Sequence, residues 1–325
     1  MTDQDATSVT ETCVKPFIRV AELWLPNKDR RWLEFRGGLY GNLTNFRAAS
    51  EGLQFAFNEG LPGKAWAAGR PIILKTLDSS GFVRADAANA AGLTCGVALP
   101  VFVGEFLMAV VAFLCGDTEA HLGAIELWTN GPNGSPFLTH ADGYYGAAET
   151  FGFNSRRTKF PRGYGLPGRV WKGDMPMIAK DIVSSTTFLR REQAVEIGVN
   201  RGLGIPYRVM SGQVWVLTFL SALETPIARR FEIWVPSASR DALVFNSGDC
   251  DTHTDLAAEY AGQTIGRGEG LLGKVWCSGI PALSDDLAAE QSVCERSACA
   301  AGLSSMVALP FINDGKLKAV IGWYL

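Results

Sequence analysis

Two stretches carry the spacing of a dinucleotide fingerprint. Gly163-Tyr164-Gly165-Leu166-Pro167-Gly168 and Gly268-Glu269-Gly270-Leu271-Leu272-Gly273 both read Gly-x-Gly-x-x-Gly, and Asp181 and Asp286 each follow eighteen residues after the first glycine. In a nucleotide-binding unit such glycines let the backbone approach a pyrophosphate, and the acidic residue takes a ribose hydroxyl. That chemistry needs a buried strand running straight into the first glycine. Arg156 to Arg162 and Ala261 to Arg267 supply no such strand, and a related third stretch begins with Asn58 in place of the first glycine. Gly268 to Lys274 also imitates a phosphate loop, but Val275 stands where a magnesium-binding hydroxyl would be. What survives is smaller. A glycine turn that opens a helix leaves backbone N–H groups free to receive a carboxylate or phosphate.

Other residues invite chemistry with less support. Arg84 and Arg190 each lie sixteen residues before a proline (Pro100, Pro206). They would grip an anionic ligand through two N–H groups, or else sit on a solvated helix face and bridge to Asp86 or Glu192. Trp66, Trp171 and Trp276 either stack on a planar ligand or belong to the core; a core tryptophan costs about 3–5 kcal/mol when cut to alanine. Cys277, Cys294 and Cys299 gather near the C-terminal end, but a thiol cycle needs a resolving partner, and buried small hydrophobes are the plainer reading. His121, His140 and His253 stand at unrelated positions. The sequence contains no Cys/His metal cluster and no nucleophile–base pair, so neither metal, cofactor nor catalytic residue is expected.

These residues are positioned by a repeat. Gly60-Leu61-Pro62-Gly63-Lys64-Ala65-Trp66 recurs as Gly165 to Trp171, with Gly168, and as Gly270 to Trp276, with Gly273; the first glycines are 105 residues apart both times. Each copy is preceded by Glu-Leu-Trp or Glu-Ile-Trp (Glu22, Glu126, Glu232) in an apolar, strand-like run. Each is followed by a glycine and a proline that stop a short helix. The pattern predicts strand, strand, helix, short strand, helix, strand, strand, with a variable, loop-like connection before each glycine motif. A period of this size buries its own core. The expectation is a disordered leader at 1–15 and three α+β units at 16–116, 117–222 and 223–325. Each has a central antiparallel sheet of about five to six strands with short helices.

The totals fit. The chain has 325 residues, 47% hydrophobic and 19% charged, with a formal charge of −3. There is no basic field for nucleic acid. The longest apolar run, Phe106 to Cys115, is about half of what a membrane-spanning helix needs. The N-terminus lacks the marks of a signal peptide, and seven irregularly placed cysteines suit reduced thiols and a cytoplasmic location.

Phe46 to Leu53, Glu59 to Trp66, Phe82-Val83-Arg84-Ala85, Ala91-Gly92-Leu93 and Val97 to Pro100 together resemble a GAF domain. The second unit shares the resemblance through Gly165 to Trp171, Asp181, Phe188-Leu189-Arg190 and Pro206. The third shares it through Gly270 to Trp276, Asp285-Asp286, Ala301-Gly302-Leu303 and Val307 to Pro310. The resemblance implies tandem domains of the kind found in bacterial sensor and signalling proteins, each with a pocket between sheet and helices. It implies a non-enzymatic sensory or regulatory role: binding an unidentified small molecule through residues such as Arg84, Arg190, Trp66, Trp171, Trp276, Asp181 and Asp286, and signalling through a protein partner or a homodimer. The alternative is a scaffold or dimerisation module whose pockets have degenerated. A thiol enzyme resembling free methionine sulfoxide reductase is a further one. Cys294 stands where the third unit would carry its arginine, so that unit is expected to differ.

Overall fold

In a computed structural model the described residues are 16–78, 81–116, 123–182, 188–209, 212–222, 225–252 and 255–325. The leader at 1–15, His121, His253 and Cys13 lie outside them. The first unit contains β1 (Ile18–Pro26), β2 (Trp32–Leu39), α1 (Thr44–Ala48), β3 (Gln54–Ala56), α2 (Gly60–Ala68), β4 (Ile72–Leu74), α3 (Ala85–Ala90), β5 (Cys95–Val103) and β6 (Phe106–Cys115). The second repeats this as β7 (Gly123–Thr129), β8 (Phe137–Tyr144), α4 (Glu149–Ser155), β9 (Lys159–Pro161), α5 (Gly165–Gly173), β10 (Met177–Ala179), α6 (Arg191–Glu196), β11 (Val199–Arg208) and β12 (Val214–Ala222). The third is β13 (Arg230–Pro236), β14 (Ala242–Cys250), α7 (Leu256–Glu259), β15 (Thr264–Gly266), α8 (Gly270–Ser278), β16 (Ala282–Ser284), a 3-10 turn (Leu287–Ala289), α9 (Val293–Ala300), β17 (Met306–Asn313) and β18 (Lys316–Tyr324). Each unit forms one six-stranded antiparallel sheet of order β3-β2-β1-β6-β5-β4 or its equivalent. This is the α+β architecture expected from the repeat.

The stretch read as a loop before each glycine motif holds two more elements: a short helix (α1, α4, α7) and a three-residue edge strand (β3, β9, β15). They escaped a periodicity argument because neither is long enough to show a period.

The glycine motif is the first turn of α2, α5 and α8. Gly60, Gly165 and Gly270 have φ of +56°, +62° and +56°, a left-handed turn that costs glycine little. The second glycine has a different reason. A Cβ on Gly63, Gly168 or Gly273 would lie 2.1, 2.2 or 2.3 Å from the carbonyl oxygen of Ala56, Pro161 or Gly266. The helix start therefore touches the preceding backbone, which cannot swing away as a side chain would. Gly168→Ala is expected to cost about 1–3 kcal/mol or more by overpacking, read as a lower urea midpoint. Gly131→Ala, at a turn with open space around it, should cost only its left-handed strain of about 1–2 kcal/mol.

Each sheet buries both faces. Along β1, Val20, Glu22 and Trp24 face the helices, whereas Ala21 and Leu23 face the other units, as a period of two dictates; Ile18, before a register shift, joins the second set. The helix-facing cores are separate, centred on Trp24, Trp128 and Trp234, all wholly buried. The opposite faces merge into one apolar junction shared by all three units. There the Trp323 ring stacks on Phe113 at 4.8 Å and meets Phe219 edge-on at 5.0 Å.

The contacts run cyclically. β4 lies beside β8, β10 beside β14, and β16 beside β2. Lys75 pairs with Asp142 at 2.7 Å, Arg201 with Asp249 at 3.2 Å, and Leu283 reaches Gly37. The third unit thus returns to the first, and the chain closes a ring about an approximate threefold axis.

Candidate functional site

The space between sheet and helices holds a charged cluster in every unit. Its anchor is the glutamate of the Glu-Leu-Trp or Glu-Ile-Trp triplet. A β-bulge follows immediately, between Leu23 and Trp24, Leu127 and Trp128, and Ile233 and Trp234. Glutamate and tryptophan, two residues apart, share the helix-facing side, and the indole Nε1 donates to the carboxylate at 3.2, 3.2 and 2.8 Å.

In the first unit Glu22 also accepts from Tyr40 Oη and Ser50 Oγ, each at 3.0 Å, and from Arg84 Nη1 and Nη2, the latter at 3.0 Å. In the second, Glu126 accepts from Tyr145 Oη at 3.2 Å, Thr218 Oγ1 at 3.3 Å, and Arg190 Nη1 and Nη2, the latter at 2.9 Å. All three glutamates are fully buried. Arg84 is the residue before α3 and Arg190 the residue before α6, so each short helix holds its guanidinium over the sheet. Phe46 and Phe82 flank Arg84, and Phe151 and Phe188 flank Arg190.

The Nη groups of Arg84 and Arg190 are committed to Glu22 and Glu126 rather than to Asp86 or Glu192, and the Nε of each is buried without a hydrogen-bond partner among the described residues. The third unit makes the same pair by another route. Cys294 occupies the helix position, buried and hydrogen-bonded to Ser292, and the guanidinium comes from Arg230 on β13. Its Nε donates to Glu232 at 2.7 Å, and its Nη2 donates to Ser297 at 2.8 Å and to Tyr260. Tyr260 and Tyr324 complete the cluster at 2.8 and 3.0 Å from Glu232. Both the glutamates and Arg230 were missed in sequence, although signals were present. An acidic residue recurred in three apolar strands, and Arg230 stands where the other units have Val20 and Ala124.

The helix start of the third unit is also answered from within. Glu295, fully buried, accepts the Leu271 N–H at 2.8 Å. Its side chain caps α9 together with Ser292, so the turn that resembled a phosphate loop already holds a carboxylate.

The remaining candidates scatter. Trp276 is buried beneath Arg267, whereas Trp66 and Trp171 are half-buried; the full cost of a lost core tryptophan therefore applies to Trp276 and not to the other two. Asp181 and Asp286 are exposed. Cys277 is exposed and Cys299 half-buried. Burial pushes the Cys294 thiol up, away from the thiolate that redox chemistry uses. Among the described residues no group of three or more His, Cys, Asp or Glu side chains is placed to hold a metal, and no helix is long and apolar enough to cross a membrane.

Burial and mutual contact set the electrostatics of the cluster, in which Arg84 Nε, Arg190 Nε and Arg230 Nη1 are buried without a hydrogen-bond partner among the described residues. Burial, then the neighbouring carboxylate, pushes the phenols of Tyr40, Tyr145 and Tyr260 up, so they remain donors. Burial also pushes Glu126 up, but the Arg190 charge and hydrogen bonds outweigh it and hold the carboxyl below its usual range. Burial holds His140, bonded to Tyr145 Oη at 2.8 Å, below the usual histidine value.

Both depressed values act in one direction. The unfolded chain binds each proton more readily, so stability present above the unfolded pKa is lost as pH falls through the folded one. His140 begins this loss below about pH 6.5 and Glu126 below about pH 4.3. A urea midpoint that falls between pH 7 and pH 5 is expected, with the fall flattened in His140→Gln.

No known family profile and no curated protein matches the chain. Among solved structures, it is similar to the GAF domain of A. Aeolicus nlh2 in an inactive state at 17% identity and TM-score 0.25, over 31% of this chain and 59% of that one. It is similar to free methionine-R-sulfoxide reductase from Neisseria meningitidis in complex with its substrate at 14% identity and TM-score 0.24, over 30% and 52%. It is similar to the GAF domain of Acinetobacter phosphoenolpyruvate-protein phosphotransferase at 13% identity and TM-score 0.24, over 31% and 56%. Each match covers about one unit of this chain and little more than half of its counterpart. The three six-stranded antiparallel sheets with short helices fit three tandem GAF-like domains.

Proposed function

We propose that the chain is a non-enzymatic regulatory scaffold. Three GAF-like units whose own pockets are filled from within are fused into a ring that acts through contacts with other proteins in the cytoplasm. One observation carries this reading: where the resemblance implies a ligand, each unit places its own carboxylate–guanidinium pair, walled by aromatic rings. The apolar junction of the three sheets supports it, because it spends the second face of every sheet on holding the ring together. The buried Cys294 thiol and the absence of a nucleophile–base pair in the sequence weigh against the thiol-enzyme reading.

The test is thermal denaturation of the full chain with cyclic nucleotides, free amino acids and methionine sulfoxide. A ligand at a hundred times its Kd adds about 2.7 kcal/mol, which is a clear rise in melting temperature. No rise and no sulfoxide reduction is the expected result. A saturable rise with any of these that persists in Arg208→Met, and so arises inside a unit, or turnover of the sulfoxide, would overturn the reading.

A further inference from the structure

A cavity of about 420 Å³ lies on the ring axis, lined by all three units. Its volume falls within the range of small-molecule sites, which favour interfaces between domains. The wall is built from equivalent positions on β5, β11 and β17. Leu99, Ile205 and Leu309 form one ring of three, and Val101, Tyr207 and Phe311 the next. These strands lead into hairpins, so the rings stack toward the hairpin end of the axis.

The threefold pattern breaks on one side only. The second unit places Tyr207 and Arg208 where the first has Val101 and Phe102 and the third has Phe311 and Ile312. It also ends its glycine-motif helix on Asp174, at φ +50°, where the other two use Gly69 and Gly279. A left-handed aspartate costs more than glycine there, and this one is spent on the rim of the cavity. Its carboxylate accepts from Arg208 Nε at 2.9 Å and from Asn313 Nδ2 of the third unit at 2.6 Å. Asp174 thus fixes Arg208 by one N–H. The Arg208 Nη groups and the Tyr207 hydroxyl make no hydrogen bond to a described residue, and the Arg208 side chain is 39% exposed. Asp314, the other acid on the rim, is exposed on the β17–β18 turn and solvated.

We propose that this axial cavity binds a small molecule with an apolar body and one acidic head. The strand rings take the body. The planar Arg208 fork, which suits a carboxylate bidentately, takes the head together with the Tyr207 hydroxyl. The site belongs to no single unit and exists only when the ring is closed. It stands independently of the filled pockets inside the units.

The test is a fluorescence titration of the full chain with anilinonaphthalene sulfonate, an apolar dye with an acidic head, followed by displacement with octanoate and with octanol. Saturable binding of one dye per chain is expected. Octanoate should displace it at least about ten-fold more effectively than octanol, since a charge-assisted contact is worth more than a neutral one. Arg208→Met should erase that difference. Val101→Trp, which fills the cavity, should abolish dye binding with the melting temperature retained; Val209→Phe serves if that variant is unfolded. Absence of saturable binding, binding that survives in a folded filled variant, or equal displacement by octanol and octanoate in the native chain would each overturn the proposal.

Discussion

Arg190→Met is expected to lower stability by about 3–5 kcal/mol, the usual cost of removing one partner from a buried ion pair. The loss is larger than a missing contact would suggest because of what remains. Glu126 is wholly buried, and without the guanidinium its charge is left, among the described residues, to the neutral donors Trp128, Tyr145, Thr218 and Ser155. Adding Glu126→Gln should therefore restore much of the loss, because the amide keeps an acceptor for those donors and carries no charge. Urea unfolding of the native chain, both single variants and the double variant gives the coupling energy directly. A purely additive double variant would show that the pair does not act as a unit. The same experiment on Arg230 and Glu232 should give a similar coupling, although that arginine comes from a strand.

Trp323→Ala is expected to cost about 3–5 kcal/mol by opening a cavity, and its second consequence is more informative. Trp323 lies on β18 of the third unit, yet its ring packs on Phe113 of the first and Phe219 of the second. Removing it loosens the junction of all three units without touching any Glu–Arg cluster. Native-state hydrogen exchange should then show earlier opening at β6, β12 and β18 together, while the strands at the sheet edges change less. Protection lost in the third unit alone would contradict a shared junction.

Much of this fold could be read from spacing. The triplicated glycine motif, with its constant period, fixes three units, and the stops after α2, α5 and α8 fix the helix lengths. The backbone reason for the second glycine was not visible, because it depends on a carbonyl seven residues earlier. The ring was hidden as well. A sheet buried on both faces reads as a plain apolar strand, and Val97 to Val103 gives no sign that its odd positions meet other units.

The site was half legible. Arg84 and Arg190 stood out by their matching positions, but their partners lie more than sixty residues away on the central strand. The Glu-Leu-Trp triplet looked like a strand marker because its neighbours are apolar. Those neighbours are what make the glutamate costly, and a buried acid in a strand calls for a cation.

Three guanidinium groups serve the protein's own carboxylates. Nitrogen NMR of arginine-labelled protein tests this most directly, by measuring hydrogen exchange and Nη rotation for each side chain. Slow rotation and strong protection are expected for Arg84, Arg190 and Arg230, each lost when its glutamate becomes glutamine. Rotation and exchange at those three residues as rapid as at exposed arginines such as Arg47 would contradict this.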